Sequence, residues 1–182
     1  ATAEKNSAVI AVVLADDTIL VLDAATGAPR PARIRPPDRI VGRTPAFGLS
    51  PDGRWVAAAG RTSVWLWDAG SGELRATLPS GANLRSWSDI LFSPDSSRIV
   101  TTHGDRITQM WTVPDGLPAT DPIRADRVEG SRNGTAFQKF SADGRRLLVC
   151  YLSGTLVCDA STGVPVVPRI PAALNFGDEI WP

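Results

Sequence analysis

Two turn-forming markers recur along the chain with one shared period, and this periodicity constrains the fold more than any single residue does. The first marker is Ser50-Pro51-Asp52-Gly53, which returns as Ser93-Pro94-Asp95-Ser96 and Ser141-Ala142-Asp143-Gly144 at steps of 43 and 48 residues. The second is Asp23-Ala24-Ala25-Thr26-Gly27, which returns as Asp68-Ala69-Gly70-Ser71-Gly72, a degraded Thr112-Val113-Pro114-Asp115-Gly116 and Asp159-Ala160-Ser161-Thr162-Gly163, at steps of 45, 44 and 47. A period of this size marks a stacked array, in which each unit is too small to bury its own apolar surface and relies on its neighbours.

Ser-Pro-Asp-Gly has the composition of a type I turn, with Pro pre-setting φ at the second position and Gly at the exit. It is expected to join two antiparallel strands. An apolar strand follows each copy: Trp55 to Ala59, Ile99 to Thr102, Leu147 to Leu152. A second apolar strand comes next, Ile19 to Leu22, Val64 to Trp67 or Leu156 to Cys158. These runs are continuous rather than alternating, which predicts sheets buried on both faces. The Asp-x-x-(Thr/Ser)-Gly segment then reverses the chain, and a polar outer strand follows, as in Glu73 to Leu78. Each unit is thus a four-stranded meander. Meanders packed face to face around an axis form an all-β propeller of four-stranded antiparallel blades.

The residues Phe47-Gly48-Leu49-Ser50-Pro51-Asp52-Gly53-Arg54-Trp55 through Trp67-Asp68 resemble the tryptophan–aspartate (WD) repeat family. The resemblance extends over most of the chain as about four degenerate, bacterial-type copies: a partial unit at 1–44, then 45–88, 89–136 and 137–173. Residues 174–182 resemble the entry to a further or ring-closing strand. The Trp-Asp pair is complete at Trp67-Asp68, whereas Leu22-Asp23, Trp111-Thr112 and Cys158-Asp159 keep half of it. The Gly-His pair usual in the family is missing, because the single histidine, His103, falls in a strand–strand turn. The family's buried His–Asp–Ser/Thr–Trp hydrogen-bond chain is therefore not expected intact. The chain opens in the second strand of a unit and lacks an initial Met, which reads as a fragment or processed chain. A partial ring, a composite ring of two chains and a small closed ring all fit this phase.

Composition removes several classes of function. With 19 basic and 19 acidic residues in 182, the net charge is zero and offers no bulk attraction to nucleic acid or anionic membrane. No apolar run is long enough to span a bilayer as a helix. Two cysteines and one histidine make a poor inventory for disulfides or metals, and no cofactor is expected. Every basic residue except Lys5 and Lys139 is arginine. Guanidinium groups suit carboxylate or phosphate recognition, although GC-rich coding accounts for the bias more simply.

Cys150 and Cys158 appear near the facing ends of neighbouring strands, where a redox pair or a buried small hydrophobe are the two readings; Cys158 occupies the repeat's Trp position. His103 beside Asp105 has the chemistry of a general base, or is a hairpin-tip residue. Asp16-Asp17 reads as a turn, because adjacent strand residues point to opposite faces. Asn133-Gly134-Thr135 matches a glycosylation pattern and equally a turn. Trp55, Trp65, Trp67 and Trp111 fall at core-strand positions. In WD-repeat propellers, the loops entering the innermost strand and those joining the second and third strands share one rim. Repeat position places Arg43, Arg85 and Arg132 in the first class and Arg61 and Arg106 in the second, with Trp87 at an outer-to-inner crossing. These six residues form the candidate partner-binding rim, with Asp17, Asp89, Asp105 and Glu129 interleaved.

The family resemblance implies a cytoplasmic, non-enzymatic scaffold or sensing module within a larger signalling protein. Its partner would be a protein or peptide, acidic or phosphorylated, with a homodimer completing the ring as one arrangement. A structural spacer without a binding face is the first alternative. The Asp-Ala-x-Thr-Gly segments also resemble quinoprotein dehydrogenase repeats, but those place a Trp soon after the Gly, where this chain has Ala28-Pro29-Arg30 and Val164-Pro165-Val166.

Overall fold

The computed structural model describes residues 9–40, 46–79, 87–103, 107–124, 135–151 and 154–171. Its fifteen strands form four antiparallel sheets in chain order. The first holds β1 (Val9–Val13), β2 (Ile19–Asp23) and β3 (Pro29–Ile34); the second, β4 (Phe47–Leu49), β5 (Trp55–Ala59), β6 (Ser63–Asp68) and β7 (Leu74–Pro79). The third holds β8 (Trp87–Phe92), β9 (Arg98–His103), β10 (Ile107–Thr112) and β11 (Ile123–Arg124); the fourth, β12 (Thr135–Phe140), β13 (Arg146–Tyr151), β14 (Gly154–Asp159) and β15 (Ile170–Pro171). Every sheet pairs its strands in sequence order, so each is a meander. The first strands of the second, third and fourth sheets lie side by side, and β1 packs on β4. These are propeller blades fanned from a common inner edge, not two layered sheets.

The Ser-Pro-Asp-Gly turns owe their recurrence to a hydroxyl as much as to Pro and Gly. Gly53 N–H donates to the Ser50 carbonyl at 2.8 Å, closing the turn. The Ser50 hydroxyl donates to the Asp52 carboxylate and accepts from Trp55 N–H at 2.9 Å, fastening both ends of the turn at once. Ser93 and Ser141 make the same pair of bonds with Asp95 and Arg98, and with Asp143 and Arg146. In the second marker Asp23 accepts from Ala25 N–H, Thr26 N–H and the Thr26 hydroxyl, with Asp68 and Asp159 doing likewise. These bonds favour the ionised form. They hold Asp23, Asp68 and Asp159 below the ordinary carboxylate range, Asp159 at about 2 with the Ser161 hydroxyl as first cause.

Alternation divides each central blade between its two neighbours. On β5, Val56 and Ala58 join the apolar layer shared with the first blade, while Trp55, Ala57 and Ala59 join the layer shared with the third. On β6, Trp65 and Trp67 face the first blade, and Val64 and Leu66 face the third. A third layer joins Val100, Met110 and Ile123 to Leu147, Val149, Leu156 and Cys158 of the fourth blade. Two-sided burial is the physical reason the apolar runs are continuous. The first and fourth blades depart from that expectation: β1, β2 and β14 alternate buried with part-exposed residues, because one of their faces lacks a neighbouring blade among the described residues. The outer edge of the fourth blade is also apolar rather than polar, with Val164, Val166, Val167 and Ile170 exposed.

One buried tryptophan–threonine hydrogen bond ties two strands of the third blade together. The Trp111 indole N–H donates to the Thr101 hydroxyl at 2.9 Å, and both residues are buried. Replacing Thr101 by Val keeps the shape but strands a buried donor, so Thr101→Val is expected to destabilise by about 1–3 kcal/mol. Urea denaturation checks this; an unchanged midpoint contradicts it.

Candidate functional site

Antiparallel pairing assigns the connections to two rims. The Ser-Pro-Asp-Gly and Asp-x-x-(Thr/Ser)-Gly turns share one rim, where Asp52 N–H donates to Ser96 Oγ of the next blade at 3.1 Å and Arg98 donates to the Ala160 carbonyl of the fourth. The opposite rim carries the connections entering each innermost strand and those between second and third strands. Of the six rim candidates, Arg43, Arg85, Arg106 and Arg132 lie outside the described residues. Trp87 opens β8, in register with His103. Arg61 is exposed in the β5–β6 turn on this rim.

The described part of the rim holds a cleft of about 490 Å³ that the sequence reading did not single out. The β1–β2 turn supplies Asp16, Asp17 and Thr18, and the connection following β3 supplies Arg35, Pro36, Pro37, Asp38 and Arg39. Asp16 caps the turn by accepting from Thr18 N–H at 3.1 Å, which draws its acidity up and its pKa down. Asp17 sits at φ 64°, and its carboxylate lies 3.5 Å from Arg39 Nε. Arg39 is 85% exposed, so this ion pair contributes little to stability and leaves its guanidinium accessible. The signal for Arg35 and Arg39 was present: both lie in the same loop class as Arg43.

The other candidates resolve differently. Asp16-Asp17 forms a turn, as expected from their adjacency. His103 is the last residue of β9, opposite Ile107, rather than part of the turn itself. Asp105, Asn133 and Gly134 lie outside the described residues. Cys150 and Cys158 are not at facing strand ends: Cys150 pairs with Thr155 and Cys158 with Leu147, at opposite ends of the hairpin. Both thiols are free, and burial pushes Cys158 up to about 11, so it stays protonated and inert as a small hydrophobe in the Trp position. Trp55, Trp65, Trp67 and Trp111 are all buried. Among the described residues no group of three or more His, Cys, Asp or Glu side chains is arranged to hold a metal ion.

The four side-by-side meanders define the chain as a propeller-type repeat protein. Part of the chain is similar to Actin-interacting protein 1 of Drosophila melanogaster, a WD-repeat propeller protein: 29% identity over 127 residues, 67% of this chain. The chain spans about a fifth of that relative's length. No protein-family model matches the chain.

Proposed function

We propose that this chain is a non-enzymatic, protein-binding propeller module of a larger cytoplasmic signalling protein, which uses its loop-built rim to hold an acidic or phosphorylated segment of a partner. The observation that carries this reading is the convergence on one rim of the Arg35–Arg39 cleft and the Arg61 turn, the loop classes to which Arg43, Arg85, Arg106 and Arg132 belong. Exposed guanidinium groups on separate loops supply bidentate donors for carboxylate or phosphate at several points along an extended peptide. Asp17 and Asp38, interleaved with them, favour a partner of mixed rather than uniformly negative charge. The named partner of the similar fly protein adds actin as a specific ligand to try. A second copy of the chain also belongs among the protein partners, on surfaces distinct from the rim.

The test immobilises the chain and presents acidic peptides, phosphorylated peptides and actin separately. Binding to at least one is expected, with joint replacement Arg43→Glu, Arg85→Glu and Arg132→Glu reducing it at least tenfold. Binding that survives the triple replacement removes the rim from the reading, and no binding in any arm favours the spacer alternative.

A further inference from the structure

The three seams between successive blades bring the same repeat positions together, and one seam differs in chemistry. Val13 pairs with Ile19 in the first blade, Ala59 with Val64 in the second, and Thr102 with Thr108 in the third. The innermost strand of the following blade meets each pair with the residue three before its turn serine: Phe47, Ile90 and Gln138. At this level the first two seams are apolar. The third holds two hydroxyls and an amide.

Thr102 and Thr108 are fully buried, and Gln138 is 6% exposed. The Gln138 amide nitrogen donates to Thr102 Oγ1, the Thr102 and Thr108 hydroxyls lie 3.0 Å apart, and Thr108 Oγ1 is 3.3 Å from Tyr151 Oη. Each hydroxyl has one hydrogen to give, so the chain runs from the amide to Thr102, from Thr102 to Thr108 and from Thr108 to Tyr151. None of those hydrogens reaches the other end of the amide. Gln138 Oε1 is buried without a hydrogen-bond partner, and it is the one such side-chain atom among the described residues. A desolvated amide oxygen with no donor is costly, and where the protein supplies none, native interiors supply water.

We propose that the seam between the third and fourth blades is an internal water-binding site, in which one water molecule donates a hydrogen bond to Gln138 Oε1. The threonine hydroxyls each keep a lone pair beyond those used in the chain and are the neighbouring groups able to take the second hydrogen. An ion does not suit the site, because no charged side chain is buried among the described residues to balance it. A neutral donor small enough for a closed seam is water. The site lies between two described blades, independent of the rim loops and of either end of the chain.

Oxygen-17 magnetic relaxation dispersion counts water molecules held inside a protein. Gln138→Met, which keeps the length of the side chain without its amide, is expected to lower the count by one relative to the unaltered chain. Ile90→Met, at the equivalent position of the apolar second seam, is expected to leave it unchanged. A crystal structure of the unaltered chain needs no variant and decides the matter should Gln138→Met fail to fold. It is expected to show one ordered water within hydrogen-bond distance of the Gln138 amide oxygen. A protein group bonded to that oxygen, no ordered water beside it, or equal counts for Gln138→Met and the unaltered chain overturns the proposal.

Discussion

Trp67→Ala is expected to lower stability by about 3–5 kcal/mol, and the melting temperature by roughly 6–20 °C for a chain of this size. The indole is 3% exposed and packs in the layer between the first and second blades. Its ring centroid lies 6.2 Å from that of Trp65, at 46° between planes. A tilted aromatic pair at this spacing adds to the value of burial alone. The cavity left by Ala would open between two rigid sheets, whose backbones are fixed by their own strand pairing and cannot readily collapse into it. Trp67→Phe retains most of the contact and is expected to cost less than half as much. Thermal unfolding of the two variants beside the parent decides the matter, and a near-neutral Trp67→Ala contradicts inter-blade packing. Cys158 holds the same repeat position in the fourth blade and is fully buried with a far smaller side chain, so Cys158→Ala is the milder comparison.

Turn chemistry and strand burial were legible in the chain because each depends on local or repeating patterns. Asp at the head of three of the four second markers predicts its own hydrogen bonds, and the structure places them within the same turn at Asp23, Asp68 and Asp159. The serine that opens the first marker was less legible. Its role links residues five apart through a side-chain oxygen, as Ser50 does with Trp55, and turn propensities alone carry no term for this. Face assignment was the harder problem. Continuous apolar runs predict two covered faces, and β5 has them, but Leu20 and Val157 sit in equally apolar runs and are only part-buried among the described residues. Apolar sequence records what a face is suited to meet, not whether the neighbour is present. The rim was legible as a loop class, since repeat register fixes which connections share an edge. The Asp17–Arg39 pair was not, because it brings together a hairpin turn and a later connection whose separation follows no repeat spacing.

Gly116→Ala is expected to cost about 2–5 kcal/mol, against about 1–2 kcal/mol for Gly27→Ala. Both residues sit at positive φ, 68° and 70°, in equivalent turns, so both substitutions incur the left-handed backbone penalty. The difference comes from what the new methyl meets. At Gly116 it would approach the Ala76 Cβ and the Leu78 side chain to 2.7 Å, and Leu78 is fully buried with no room to retreat. At Gly27 it meets open space. Gly72 and Gly163, with contacts at 3.1 Å, are expected to fall between these limits. Urea denaturation of the four variants therefore reads the inter-blade contact at each turn in succession, and equal costs across the series would mean that the turns do not rest on the preceding blades.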